Sequence, residues 1–287
     1  MDRTTDGWLS GFIGVAIFSG SLPATRLAVA GFDPVFLTVA RAAIAGLLAL
    51  ALLALLRAPR PAKSDLVPLA IVSLGVVVGF PLLTALALRH VTAAHSIVFV
   101  GLLPLATALF GVLRGGERPR PAFWLFSGLG SAAVAGFALS QGIAASPAGD
   151  LLMLGAILVC GLGYAEGGRL SRRLGGWQVI SWSLVLSLPP MLLVALLVRP
   201  ESLGAIAIPA WLGLAYVSLF SMLIGFVFWY RGLALGGIAA VGQLQLLQPL
   251  MGLALAALLL GEPVSTSMLA ATVAVIACVF GAKKFAG

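Results

Sequence analysis

Gln243, Gln245 and Gln248 fall close together in an otherwise apolar stretch, just before Pro249. A primary amide offers donors and an acceptor without carrying charge, so it can meet both the ammonium and the carboxylate of a zwitterion. Gln245 and Gln248 are three residues apart and share one helix face. Hydrogen bonding between neighbouring helices is the competing role for all three. His95, with Ser96 beside it and Phe99 one turn on, supplies an imidazole that can bind a carboxylate when charged and respond to pH near neutrality. A helix-end histidine bonded to a backbone carbonyl is the alternative.

Glu166 stands near the end of an apolar run, followed by Arg169 and Arg172. A carboxyl at depth can carry a coupling proton, as His95 can, but an i, i+3 ion pair with Arg169 is the favoured reading. Pro104 and Pro249 occupy central positions of apolar runs, where the missing N–H and the ring clash kink a helix and can form a hinge. Pro81, after Gly79 and Phe80, offers a third such point. Phe80, Phe99, Trp182 and Phe226 can wall a cavity for apolar groups. Tyr164, Trp177, Trp229 and Tyr230 fit instead the aromatic belt of a membrane interface. Gly128, Ala132 and Gly136 recur every fourth residue and read as a close helix contact.

Nothing in this set predicts catalysis. Metal-assisted or acid–base chemistry needs converging His, Cys, Asp and Glu, and the chain has 2 His, 2 Cys and 9 acidic residues, the latter mostly in turns. Cys160 and Cys278 lie in apolar runs, where a thiol behaves as a small hydrophobe. There is no phosphate-cradling Gly-Lys-Ser/Thr motif, so ATP is not expected to act directly. No enzyme activity, cofactor or metal is expected.

The elements that hold these groups must lie in a bilayer. The chain of 287 residues is 61% hydrophobic and 9% charged, with a mean hydropathy of +1.14, whereas soluble domains carry about 25% charge. Apolar runs predict helices at 8–30, 33–56, 66–88, 91–113 and 121–141, then 150–170, 177–199, 208–231, 238–260 and 265–283. That is about ten crossings at roughly 20 residues each. The runs are continuous rather than alternating, which excludes a β-barrel. Ala28-Val29-Ala30 resembles a cleavage site, but Asp2 and Asp6 outweigh Arg3, and Pro23 and Arg26 interrupt the apolar stretch. A first span is therefore expected rather than a signal peptide.

The net charge of +8 would point to nucleic acid in a soluble protein. Here its distribution reads as topology. With the N-terminus inside, Arg3, Arg57, Arg60, Lys63, Arg114, Arg118, Arg120, Arg169, Arg172, Arg173, Arg231, Lys283 and Lys284 all fall on the cytoplasmic side. Only Arg89 and Arg199 fall outside, and Arg26 and Arg41 lie within spans, near enough to an outer interface to snorkel, with Asp33 a candidate partner. Both termini are expected in the cytoplasm.

The chain also repeats. Pro104-Leu105 and Gly116-Glu117 recur with the same spacing as Pro249-Leu250 and Gly261-Glu262. Ala85-Leu86-Ala87-Leu88 has a weaker echo in Gly232-Leu233-Ala234-Leu235. Residues 1–141 and 150–287 thus form two units of five helices, and an odd number inverts the second copy in the membrane, an arrangement recurrent in secondary transporters.

These features resemble the drug/metabolite transporter superfamily, in its form with two EamA-type repeats. The resemblance rests on Ser19-Gly20-Ser21 and Arg26, Asp33-Pro34 with Arg41, and the two stretches Pro104–Glu117 and Pro249–Glu262. Phe18 departs from it, standing where the family often shows Trp before Gly. The resemblance implies an all-α integral membrane protein of ten transmembrane helices, with a central cavity lined mostly by helices 1, 3, 4, 6, 8 and 9. It also implies export of amino acids or related metabolites, in the manner of bacterial aromatic amino-acid exporters.

The expected function is therefore export of small amphipathic metabolites by alternating access, from a bacterial inner membrane, as a monomer or homodimer. Gln245, Gln248 and His95 would orient the polar head, with Ser96, Phe99, Phe80, Trp182 and Phe226 around it. The alternative is a proton-coupled multidrug or organic-cation exporter, for which Glu166 is the candidate carboxylate. The expected partners are a small-molecule substrate and the lipid bilayer, and nucleic acid is not among them.

Overall fold

A computed structural model describes residues 2–87, 90–91, 99–140, 146–200, 204, 206–260 and 266–286. Among them the protein is helical, with no strand. In chain order the helices are α1 (Arg3–Ser19), α2 (Ser21–Val29), α3 (Pro34–Leu55), α4 (Lys63–Val72), α5 (Phe80–Ala87), α6 (Leu103–Gly115) and α7 (Pro121–Ser140). There follow α8 (Pro147–Leu174), α9 (Gly176–Leu197), α10 (Ile208–Tyr216), α11 (Gly225–Gly236), α12 (Ile238–Gly242), α13 (Gln248–Leu260) and α14 (Thr266–Lys284). Among the described residues, six helical runs are long and apolar enough to cross a bilayer: Arg3–Val29, Pro34–Leu55, Lys63–Thr84, Pro147–Leu174, Gly176–Leu197 and Ile208–Gly236. Leu103–Gly115 and Pro121–Phe137 are shorter apolar helices. Large apolar side chains such as Leu55, Leu74, Leu193 and Ile208 are exposed, as expected where the solvent is lipid.

The ends of these helices follow from local chemistry. Asp33 caps α3, its Oδ1 accepting the backbone N–H groups of Val35 at 2.8 Å and Phe36 at 3.2 Å, and Pro34 takes the first turn, where a missing N–H costs nothing. Ser146 and Pro147 start α8 in the same way. Gly116 ends α6 at φ 70°, a left-handed position that glycine adopts without a Cβ penalty.

Two runs contain wider, π-helical turns. Ser73–Gly79 joins α4 to α5, and Val217–Ile224 joins α10 to α11. Each closes with the same i to i−5 bond, from Phe80 N–H to the Gly75 carbonyl and from Gly225 N–H to the Phe220 carbonyl.

Packing pairs the two halves of the chain. α1 runs along α11, α3 along α9, α7 along α14, and α4 with α5 along α8. In addition α6 packs on α8, and α1 packs on α12 and α13. Several of these seams bring backbones together. A Cβ on Gly232 would lie 2.6 Å from the Gly11 nitrogen, and one on Gly75 would lie 3.0 Å from the Gly163 Cα. The Gly128, Ala132 and Gly136 stripe, in contrast, is not a contact. Ala132 and Gly136 are exposed, and a Cβ at Gly128 or Gly136 would meet nothing within 4 Å. The buried side of α7 carries Phe123, Ser127, Gly130, Ser131 and Val134 instead, with Gly130 against Leu246 and Cys278.

Candidate functional site

The expected kink at Pro104 and Pro249 takes another form. Leu102 N–H bonds the Phe99 carbonyl at 2.8 Å in a turn, and α6 starts at Leu103, so Pro104 sits in a first turn rather than mid-helix. On the other side α12 gives way to tight 3₁₀ turns at Gln243–Leu247 before α13 starts, again with its proline in the first turn. Each helix is thus interrupted just before its proline, where that residue needs no N–H.

The 3₁₀ stretch holds two of the three glutamines. Gln243 and Gln245 are 0% and 1% exposed. Gln243 Nε2 donates to the Ala239 carbonyl at 3.4 Å, and Gln245 Nε2 donates to Tyr164 Oη at 3.3 Å. The amide oxygens of both are buried and accept no hydrogen bond. An unsatisfied buried acceptor costs about 1–3 kcal/mol, so these two oxygens are poised for a donor. Gln248 opens α13 and is half-buried.

Tyr164, the partner of Gln245, belongs to a cluster of aromatic rings. Tyr164 packs edge-on against Trp229 at 5.3 Å and Phe226 at 6.1 Å between ring centroids. Phe18 adds contacts to Phe226 at 5.0 Å and Trp229 at 6.3 Å, and Tyr230 lies 5.4 Å from Phe226. Tyr230 Oη donates to the Gly163 carbonyl at 3.2 Å, while Trp229 Nε1 is buried and donates to nothing. The cluster therefore presents one free acceptor, on Gln245, and one free donor, on Trp229, among apolar faces.

This overturns the interfacial reading of three aromatics. Tyr164 is 6% exposed, and Trp229 and Tyr230 are 0% exposed; they face the interior of the bundle rather than a headgroup layer. Of the expected cavity residues, Phe226 belongs to the cluster. Phe80 and Trp182 are half-buried and pack on the same core, but among the described residues neither ring stacks on it. Trp182 Nε1 is buried without an acceptor. Phe99 is half-buried and packs beside Met153 and Val91; Pro81 is buried at the start of α5. His95, Ser96, Arg89 and Glu262, together with the Arg26 side chain, lie outside the described residues.

A separate set of charges ties the α6 and α8 ends together. Glu166 is 0% exposed. One of its oxygens accepts Arg114 Nε at 3.0 Å, and the other pairs with Arg169. The i, i+3 pair matches the favoured reading, while Arg114, far off in sequence, went unforeseen. Arg173 pairs with buried Asp65 at the start of α4. Arg172 pairs with Glu117 at 2.7 Å, and Glu117 also accepts the N–H groups of Ile238 and Ala239 at 2.7 Å each. That arrangement explains the Gly-Glu pair: the left-handed Gly116 turns the chain so that Glu117 caps the start of α12. Among the described residues, no group of three or more His, Cys, Asp or Glu could hold a metal.

Comparison with known proteins agrees over the whole chain. The model of the EamA-like transporter family matches residues 6–139 and again 147–282. The Bacillus subtilis (strain 168) protein described as uncharacterized transporter YdeK is 69% identical over 286 residues, covering 100% of each chain. A protein of known crystal structure, 21% identical, superposes with a TM-score of 0.82 over 98% of each chain. At that identity the likeness shows the fold alone.

Proposed function

The chain belongs to the EamA-like transporter family, as a multi-pass membrane protein, and from that premise we infer that it exports amino acids or related small amphipathic metabolites by alternating access. The observation that carries this reading is the unfilled donor and acceptor pair, Trp229 Nε1 and the Gln245 amide oxygen, set among Phe18, Tyr164 and Phe226. An ammonium suits the acceptor, a carboxylate suits the donor, and the rings suit an apolar side chain.

Ten spans in two inverted units fit the packing. If the first span corresponds to the sixth, the second to the seventh and so on, exchanging the halves turns the α1–α11 pair into the α8–α4/α5 pair. The same exchange turns α6–α8 into α13–α1 and leaves α3–α9 and α7–α14 in place. The paired π-helical turns and the paired interruptions before Pro104 and Pro249 obey the same exchange. These interruptions supply the hinges. By the distribution of basic residues, both termini lie in the cytoplasm of a bacterial inner membrane. Cation extrusion gains less support, because Glu166 is already engaged by Arg114 and Arg169.

Purified protein in liposomes, offered labelled amino acids, organic cations and phosphorylated compounds with pH gradient and membrane potential varied separately, tests the reading. Uptake of amino acids is expected. Uptake of cations alone, driven by potential, would replace it with the multidrug alternative.

A further inference from the structure

Arg41 has no partner among the described residues. It lies about two helical turns inside α3, roughly 10 Å from Pro34, on the buried side of the helix: Leu37 and Ala45, one turn to either side, are 4% and 0% exposed. Its Nε is sealed from solvent and donates to nothing. Among the described residues it makes no hydrogen bond and no ion pair. Asp33, the nearest carboxylate in sequence, turns its Oδ1 to the cap of α3. The elements packed against α3 are chiefly α9, the Val217–Ile224 turns and α5, with α2 and α10 in lesser contact, and none of them contains an Asp or Glu. Arg41 as a whole is half-buried, and a guanidinium set this far inside an apolar bundle calls for a counter-charge or hydrogen bonding, neither of which the described residues supply.

An acceptor brought by a bound solute would meet that need. On α5, Thr84 Oγ1 is likewise buried and unpartnered. A guanidinium fork and a hydroxyl on two adjoining elements, both lacking acceptors, match a carboxylate, which Arg engages through two parallel hydrogen bonds. We propose that Arg41, assisted by Thr84, binds the carboxylate of the transported solute at a station nearer the Asp33 end of the bundle than Gln245. This rests on the proposed amphipathic cargo and narrows it to solutes with a free carboxylate. It also turns Arg41 from a snorkelling anchor into a specificity-determining residue.

The test compares L-leucine and L-phenylalanine with their methyl esters and with the decarboxylated amines, using purified wild type, Arg41→Met and Arg41→Lys. Binding in nanodiscs and uptake into liposomes are both read, and elution as a single folded species is checked for each variant. Wild type should favour the free acids over the esters. Arg41→Met should weaken acid binding about tenfold to a hundredfold, to the level of the esters, with ester binding unchanged. Arg41→Lys should recover part of the preference. An acid preference that survives in folded Arg41→Met, or acids and esters falling together, overturns the proposal while leaving the amino-acid reading standing. Wild type that takes amines but not acids, or no member of the panel, overturns both. If wild-type stability follows phosphatidylglycerol content and Arg41→Met abolishes that response with acid preference intact, the guanidinium serves a lipid phosphate and the proposal fails.

Discussion

Glu117 and Ile238 are 121 residues apart, and the carboxylate of the first accepts the backbone N–H of the second at 2.7 Å. Its other oxygen takes the next N–H, of Ala239. Two charge-assisted bonds thus fasten the end of α6 to the start of α12. Glu117→Ala should lower the stability of the folded protein by about 2 kcal/mol or more. Glu117→Gln, which keeps one acceptor oxygen, should fall between. Thermal unfolding followed by tryptophan fluorescence in detergent gives the order, and three equal midpoints would show the cap to be idle.

Glu166 is fully buried between guanidinium groups that are 46% and 42% exposed. Their exposure softens the penalty of breaking the pair below the 3–5 kcal/mol of a dry one, to about 1–3 kcal/mol. Glu166→Gln should therefore lose stability, and adding Arg114→Gln should return part of it. Transport by Glu166→Gln should keep its response to an imposed pH gradient, because the carboxylate serves as a latch. Loss of that response with a normal unfolding midpoint would assign Glu166 to proton coupling instead.

Gln245→Leu removes the free amide oxygen and leaves Tyr164 Oη without its donor. Flux in liposomes should drop about tenfold, in keeping with one lost polar contact of about 1–1.5 kcal/mol. Tyr164→Phe keeps the ring packing and should cost less. Gln248→Ala should lower flux with the folded yield unchanged, and wild-type kinetics across the substrate panel would remove Gln248 from the site.

The α1–α11 seam tolerates no added side chain at Gly232, where a Cβ would sit 2.6 Å from a backbone nitrogen. Gly232→Ala should cost about 1–3 kcal/mol through forced separation of the helices. Gly128→Ala, with nothing within 4 Å of the new carbon, should gain about 0.5–1 kcal/mol from better helix propensity. Midpoints measured side by side must move in opposite directions for this assignment to hold.

Hydropathy alone carried the helical membrane architecture, because continuous apolar runs admit few other solutions. Which way each helix turns its faces was far less legible. Trp229 and Tyr230 sit near a span end, where belt residues gather, and nothing along the chain distinguishes a ring turned inward from one turned to lipid. The stripe at Gly128 and the true contact at Gly130 differ by a rotation that hydropathy does not report, since both sides of α7 are apolar. Arg114 was invisible as the partner of Glu166, because their pairing depends on α6 lying against α8. The glutamines were found by polarity, and their 3₁₀ setting was not, because local winding is decided by packing. Arg41 was legible as an oddity; only the fold showed that it has no partner among the described residues.

The π-helical turns at Ser73–Gly79 and Val217–Ile224 carry one consequence for how side chains are aimed. A single extra residue in a turn rotates everything beyond it by about 100°. Phe80 follows the first such stretch directly, and Phe226 follows the second after one glycine. Each of these helices therefore behaves as two half-length rods joined out of phase, so that side chains beyond the wide turn point where an unbroken α-helix would not send them. The orientation of Phe226 towards Tyr164 is set by that phase step as much as by the identity of the residue.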